Sequence, residues 1–157
     1  MEDIKQPVGD NLGGLLRFNY IPVKDVESIP DAIDGKVVEE VVVKEGKRWY
    51  AGYATQGTIG FSEPTEKNPA GTIFKPLFVG VCPQDNEQNN FLFHQKRDQQ
   101  FIIDITDSNG LRRLVGSIAE GLEFSAALST QTDVAGRNGY NISYSGDTTH
   151  RSYIYDI

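Results

Sequence analysis

Side chains that do chemistry are scarce in this chain. One cysteine, one methionine, one tryptophan and two histidines occur in 157 residues. With Cys82 alone, no intrachain disulfide can form, and a reducing compartment of synthesis is the simpler reading. The context "VGVCPQD" places Cys82 at a strand end, far in sequence from either histidine, as a buried and inert thiol. A zinc site built on His94 and His150 would need carboxylates or Cys82 to complete it. His94 falls on a helical stretch and His150 in the polar run "GDTTHR", and both are read as exposed. No serine sits in a nucleophile-elbow pattern, and no glycine run has phosphate-loop spacing; "GDNLGG" is too short and precedes no helix.

Long apolar runs are missing too. None approaches the ~20 residues needed to span a bilayer, and the acidic start "MEDIKQPVGDN" lacks the apolar centre of a signal peptide. Basic residues are outnumbered 15 to 22, for a net charge of -7. That balance weighs against a phosphate-binding surface, and "KRWY" and "HQKR" form no basic stripe. The apolar share of 38% is below that of most globular chains, which implies a thin core or surface hidden against partners.

What is present favours strands and turns: sixteen Gly, eight Phe and seven Tyr. At this length a single domain, residues 1–157, buries roughly two-thirds of its unfolded surface without metals or disulfides. Its N-terminal segment, about 1–35, is read as an extension. Within it Phe18 and Tyr20 alternate with polar neighbours, and Pro22 and Pro30 bracket "VKDVESI" as an irregular or edge segment. "KVVEEVVVK" and "RWYAGYAT" flank Glu45-Gly46, which predicts a hairpin. "EPTEKNPAG" reads as an exposed loop of nine residues. In "CPQDNEQNNFLFHQKRDQQ" a short surface helix is expected, capped by Asp85, with Lys96 and Arg97 toward the negative end of its dipole.

"QFIIDITDSNGLRRLVGS" carries the clearest hairpin signal. Asn109-Gly110 at the tip of a two-residue turn would put Ile105 opposite Leu114, Phe101 opposite Ile118 and Gly116 opposite Ile103. A second hairpin pairs Leu122, Phe124, Ala126 and Leu128 with Tyr140, Ile142 and Tyr144 around the loop 130–137. "SYIYDI" places Tyr153 and Tyr155 on one face. The fold class is therefore mainly β, an antiparallel β-sandwich or β-barrel with one short helix.

"DITDSNG" has the spacing of part of a calcium loop, but the first and twelfth ligand positions would be Ile105 and Gly116, so it is read as a turn. Glu39-Glu40 and the pair Asp31 and Asp34 are read as solvated carboxylates. Asn141-Ile142-Ser143 matches a glycosylation sequon in letters only. No catalytic, cofactor-binding or metal residue is assigned and the chain is read as non-enzymatic, with no cofactor.

The run "FIIDITDSNGLRRLVGS" followed by "GLEFSAALSTQTDVAGRNGYNISYSGD" resembles the C-terminal half of small β-rich virion structural proteins of tailed bacteriophages. The elements that carry the resemblance are Asp107, Asn109 and Gly110, Leu114 to Gly116, Thr130 and Thr132, Asn138 to Tyr140, and Tyr144 to Gly146. It covers about the last 60 residues. The resemblance implies a tail-tube or neck component, a sandwich or barrel assembled into homo-oligomeric rings within the virion and put together in the host cytoplasm. Its partners would be copies of itself and other virion proteins. DNA would be passing cargo along an acidic lumen, and no membrane would be involved. The segment before Lys36 has no counterpart in a minimal tube protein, so a terminator, stopper or decoration role stays open. The alternative is a ligand- or carbohydrate-binding β-sandwich, with Trp49, Tyr50 and Tyr53, or Tyr140, Tyr144, Tyr153 and Tyr155, as the stacking platform.

Overall fold

The computed structural model describes residues 12–132, 136 and 138–157. The acidic start, with the first half of "GDNLGG", and part of the 130–137 loop lie outside the described residues. Among those described, no helix is long and apolar enough to cross a membrane.

The chain is mainly β, as the alternation predicts. Five strands make the frame: β1 (Leu15–Pro22), β9 (Leu77–Pro83), β10 (Gln100–Asp107), β12 (Leu122–Ser129) and β13 (Gly139–Ser145). Antiparallel pairing runs β1–β10–β12–β13–β9. The segment 50–62 then leads from β9 back to β1. Within it β6 (Gly60–Ser62) pairs with β9, and Thr55 N donates to Val81 O at 2.7 Å. Gly52 N donates to Phe18 O at 2.9 Å, and β5 (Tyr50–Ala51) pairs with β1. The sheet thereby closes into a barrel, which leaves few free edges. Gly52 is required at this seam, because a Cβ there would lie 2.0 Å from the Phe18 ring. Inside sit Phe18, Tyr20, Phe78, Phe101, Ile103, Ile105, Leu122, Ile142 and Tyr144.

A second core lies on the outer face of β1 and β10, where Ile21, Val26, Val37, Val41, Ile102, Leu114 and Tyr155 pack together. Its cover is built from short pieces: β2 (Val26–Ser28) with β4 (Val42–Val43), and β3 (Lys36–Val37) beside β14 (Tyr153–Tyr155), which pairs with β11 (Arg112–Val115). β10 is therefore buried on both faces, which explains the unbroken "FII" at its start. Tyr153 and Tyr155 both meet this second core, as the closing alternation predicts. β1 lies within the N-terminal segment and is one of the barrel strands.

The hairpin β10–β11 differs from expectation by one residue in register: Ile103 pairs with Val115 and Ile105 with Arg113, while Phe101 pairs with Leu122 rather than Ile118. The tip holds three residues, not two. Asp107 Oδ1 accepts from the amides of Asn109 and Leu111, both at 2.8 Å, and only Gly110 takes a left-handed φ, +85°. The shift sends Leu114 to the second core and Val115 into the barrel. The second hairpin forms as expected, and its register sets Phe124 opposite Tyr144 and Ala126 opposite Ile142.

Two further expectations are corrected. A turn does form at 44–47, with Lys47 N donating to Lys44 O, but its flanks separate, β4 to β2 and β5 to β1. The loop over "EPTEKNPAG" is instead part of a hairpin, β7 (Thr65–Asn68) with β8 (Gly71–Phe74), turned by Pro69-Ala70. Asn68 Oδ1 accepts from Ala70 N at 3.0 Å, an Asx turn that the long-loop reading overlooked.

Candidate functional site

Among the described residues the one α-helix, α1 (Glu87–Lys96), packs on the barrel through Phe93 and Lys96. Its cap is Asn86 rather than Asp85: Asn86 Oδ1 accepts from Asn89 N at 2.8 Å. Asp85 instead accepts from the Tyr140 hydroxyl at 2.6 Å, a bond that raises the tyrosine's pKa and ties the helix approach to β13. Asn89, Phe93 and Lys96 recur at four- and three-residue intervals and so share one face. Phe93 packs on Phe124 and Tyr140, with ring centroids 5.4 and 4.8 Å away. Phe91, on another face, is 63% exposed.

Lys96 is the unexpected member. Placed by sequence at the solvated end of the helix, it is only 6% exposed. Its Nζ stands 3.3 Å from the Tyr20 ring centroid, 4.8 Å from that of Phe124, 5.5 Å from Tyr144 and 5.8 Å from Phe101. It donates to the Tyr144 hydroxyl at 2.9 Å, and among the described residues no carboxylate pairs with it. Four aromatic faces thus receive a cation that has no counter-ion. Burial lowers the ammonium's pKa from 10.5 to about 7, with Cys82 acting weakly the other way. Burial also raises the Cys82 thiol and holds Tyr144 well above the ordinary phenol value. Both stay neutral near pH 7, so the amine alone in this cluster can change charge there.

Lys96 lines a cleft of about 420 Å³ together with Tyr20, Lys24, Lys47, Tyr50 and Gln99. Lys47 Nζ lies 3.6 Å from Asp25, and Lys44 Nζ donates to Lys24 O at 2.7 Å. Gln99 donates through Nε2 to Gln95 O at 2.6 Å, while its Oε1 is buried without a partner among the described residues.

The other candidates disperse. Cys82 is buried near the end of β9, with Asn89 Nδ2 3.8 Å from its sulfur, as a strand-end thiol should be. His94 is exposed on α1. His150, expected to be exposed, is half-buried: it stacks on Tyr153 at 4.7 Å and brings Nε2 to 3.6 Å from Glu120. Among the described residues no cluster of histidine, cysteine and carboxylates could hold a metal ion. Glu39, Glu40, Asp31 and Asp34 are exposed, and Asp107 serves its own turn. Of the seven platform aromatics only Tyr53 is strongly exposed, at 69%. Trp49, Tyr153 and Tyr155 belong to the second core, Tyr140 and Tyr144 to the barrel, and Tyr50 stacks on Tyr20.

An ion pair with a buried carboxylate joins Asp104 to Arg112, Nη2 to Oδ2 at 2.7 Å, with Asn19 Nδ2 donating to the same carboxylate oxygen at 3.1 Å. The bond to Asp104 raises the guanidinium's pKa. This cluster ties β1, β10 and β11 together and lines a cleft of about 280 Å³ with Trp49 and Tyr155.

No family model matches the chain, and neither the curated proteins nor the solved structures provide a match.

Proposed function

We propose that this chain is a non-enzymatic virion structural protein, a tail-tube, neck or terminator component that assembles with copies of itself into a ring or tube. One feature carries the reading, the outer edge of β12. Beyond Glu123 this strand runs past the start of β10 at Gln100, and among the described residues the stretch Phe124–Ser129 pairs on its β13 side only. Its sequence, FSAALS, contains no charge and no proline, and its pairing with β13 shows no bulge. Monomeric proteins guard such an edge with lysine, proline or a bulge. An unguarded edge suits a subunit whose sheet continues into its neighbour.

Two further features support the same reading. The β7–β8 hairpin is mostly exposed, and a two-stranded ribbon of this kind is at best marginally stable by itself. The acid excess would let DNA move past as cargo without adhering. Other virion proteins would be the remaining partners.

Sedimentation velocity across a wide concentration range, with negative-stain imaging, tests the proposal. Closed rings or short tubes are expected as concentration rises. Monomers alone at every concentration would refute self-assembly.

A further inference from the structure

We propose that Lys96 and the cleft it lines form a covalent capture site for a small hydroxy-aldehyde that carries an acidic group, such as a phosphorylated sugar fragment. The inference stands apart from the assembly reading, since it concerns the cleft at Lys96 and not the β12 edge.

Three observations specify the ligand. First, the cleft holds a primary amine with no carboxylate partner among the described residues, caged by Tyr20, Phe101, Phe124 and Tyr144. In its neutral form that amine has a lone pair, and the Tyr144 hydroxyl, 2.9 Å away, can turn its own proton toward it. Burial favours this neutral form near pH 7, which is how buried lysines become nucleophiles. Second, Lys24 and Lys47 share the cleft, with Lys44 behind Lys24 and Asp25 the one acid in its lining. In a chain of net charge -7 this is a local excess of positive charge, suited to a phosphate or carboxylate. Third, Gln99 Oε1 is a buried acceptor without a donor. Such a group is costly unless something supplies a hydrogen bond, and a ligand hydroxyl would do so once the Gln99 side chain turns toward the cleft. A volume of about 420 Å³ accommodates a molecule of this size.

The chemistry balances within these parts. The Nζ lone pair attacks the aldehyde carbon to form a C–N bond, and the carbonyl oxygen becomes the hydroxyl of a carbinolamine. That oxygen then leaves as water, taking the two protons that Nζ gives up, with Tyr144 placed to relay one. The product is an imine, and nothing is oxidised or reduced. The groups facing Nζ that could colour its pH dependence are Tyr20, Tyr144 and Cys82, with Tyr50, Lys24, Asp25 and Lys47 farther out in the cleft.

The test uses the wild-type protein at pH 7 with glyceraldehyde 3-phosphate, borohydride trapping of the imine and peptide mapping across all eight lysines, neutral glyceraldehyde serving as the comparison. Lys96 is expected to be labelled at least about tenfold faster than exposed Lys36 or Lys67, because burial shifts its amine toward the neutral, nucleophilic form. The phosphorylated probe should outpace the neutral one at Lys96, and Lys24→Gln should shrink the ratio of the two rates. Labelling that follows exposure and spares Lys96 would overturn the proposal. Equal rates with both aldehydes would overturn the acidic character of the ligand.

Discussion

Replacing Lys96 by methionine puts a flexible, uncharged chain of similar length into the aromatic cage. In the unfolded chain the lysine keeps its proton up to its ordinary value of 10.5, whereas in the barrel it gives the proton up at about 7. Between those limits the unfolded state binds more protons, so this group makes stability rise with pH across that window and leaves it level outside. The gap corresponds to roughly 4–5 kcal/mol of charge-burial cost, carried in full below pH 7. The ring contacts and the Tyr144 bond return on the order of 1–3 kcal/mol that methionine would forgo. Lys96→Met should therefore be more stable than wild type by about 2 kcal/mol at pH 6. Its advantage should shrink steadily toward pH 9, where the native amine is neutral. Urea unfolding of both proteins at pH 6, 7.5 and 9 measures the difference, and common titrations elsewhere cancel in it. A variant weaker than wild type at pH 6, or a difference that does not change with pH, would refute the reasoning.

Two further outcomes follow from the packing. Gly52→Ala drives a methyl into the Phe18 ring at the barrel seam and should cost about 2–3 kcal/mol, seen as a lowered urea midpoint with an unchanged slope. Asp104→Ala strands Arg112 and the Asn19 amide and should cost roughly 3 kcal/mol, whereas Asp104→Leu combined with Arg112→Met should recover most of it; thermal melts of the two variants give the comparison.

The strands of the second hairpin were legible because their partners are adjacent in sequence: the alternation in Leu122–Leu128 and Tyr140–Tyr144 marks the inward face of each strand, while the register itself is read from the pairing. The first hairpin was legible as a hairpin but not in register, because the Asp107 carboxylate, holding two turn amides, decides between a two- and a three-residue tip. Around 36–51 the sequence promised a hairpin where none forms, since β-branched residues report burial and not the partner strand. The partners there are β1 and β2, from earlier in the chain, and β14, from near its C-terminal end. Lys96 was hidden for a related reason. Local rules place a lysine at the end of a helix in solvent, and only its spacing from Asn89 and Phe93 marked the inward face. The cage itself is contributed by β1, β10, β12 and β13, strands whose convergence no local pattern announces.

Because β10 lends Phe101, Ile103 and Ile105 to the barrel and Ile102 to the outer cluster, neither hydrophobic unit can come apart while the other stays intact. The molecule is thereby bound to melt as one cooperative body, and the amides of this strand should be the last to exchange their hydrogens with solvent.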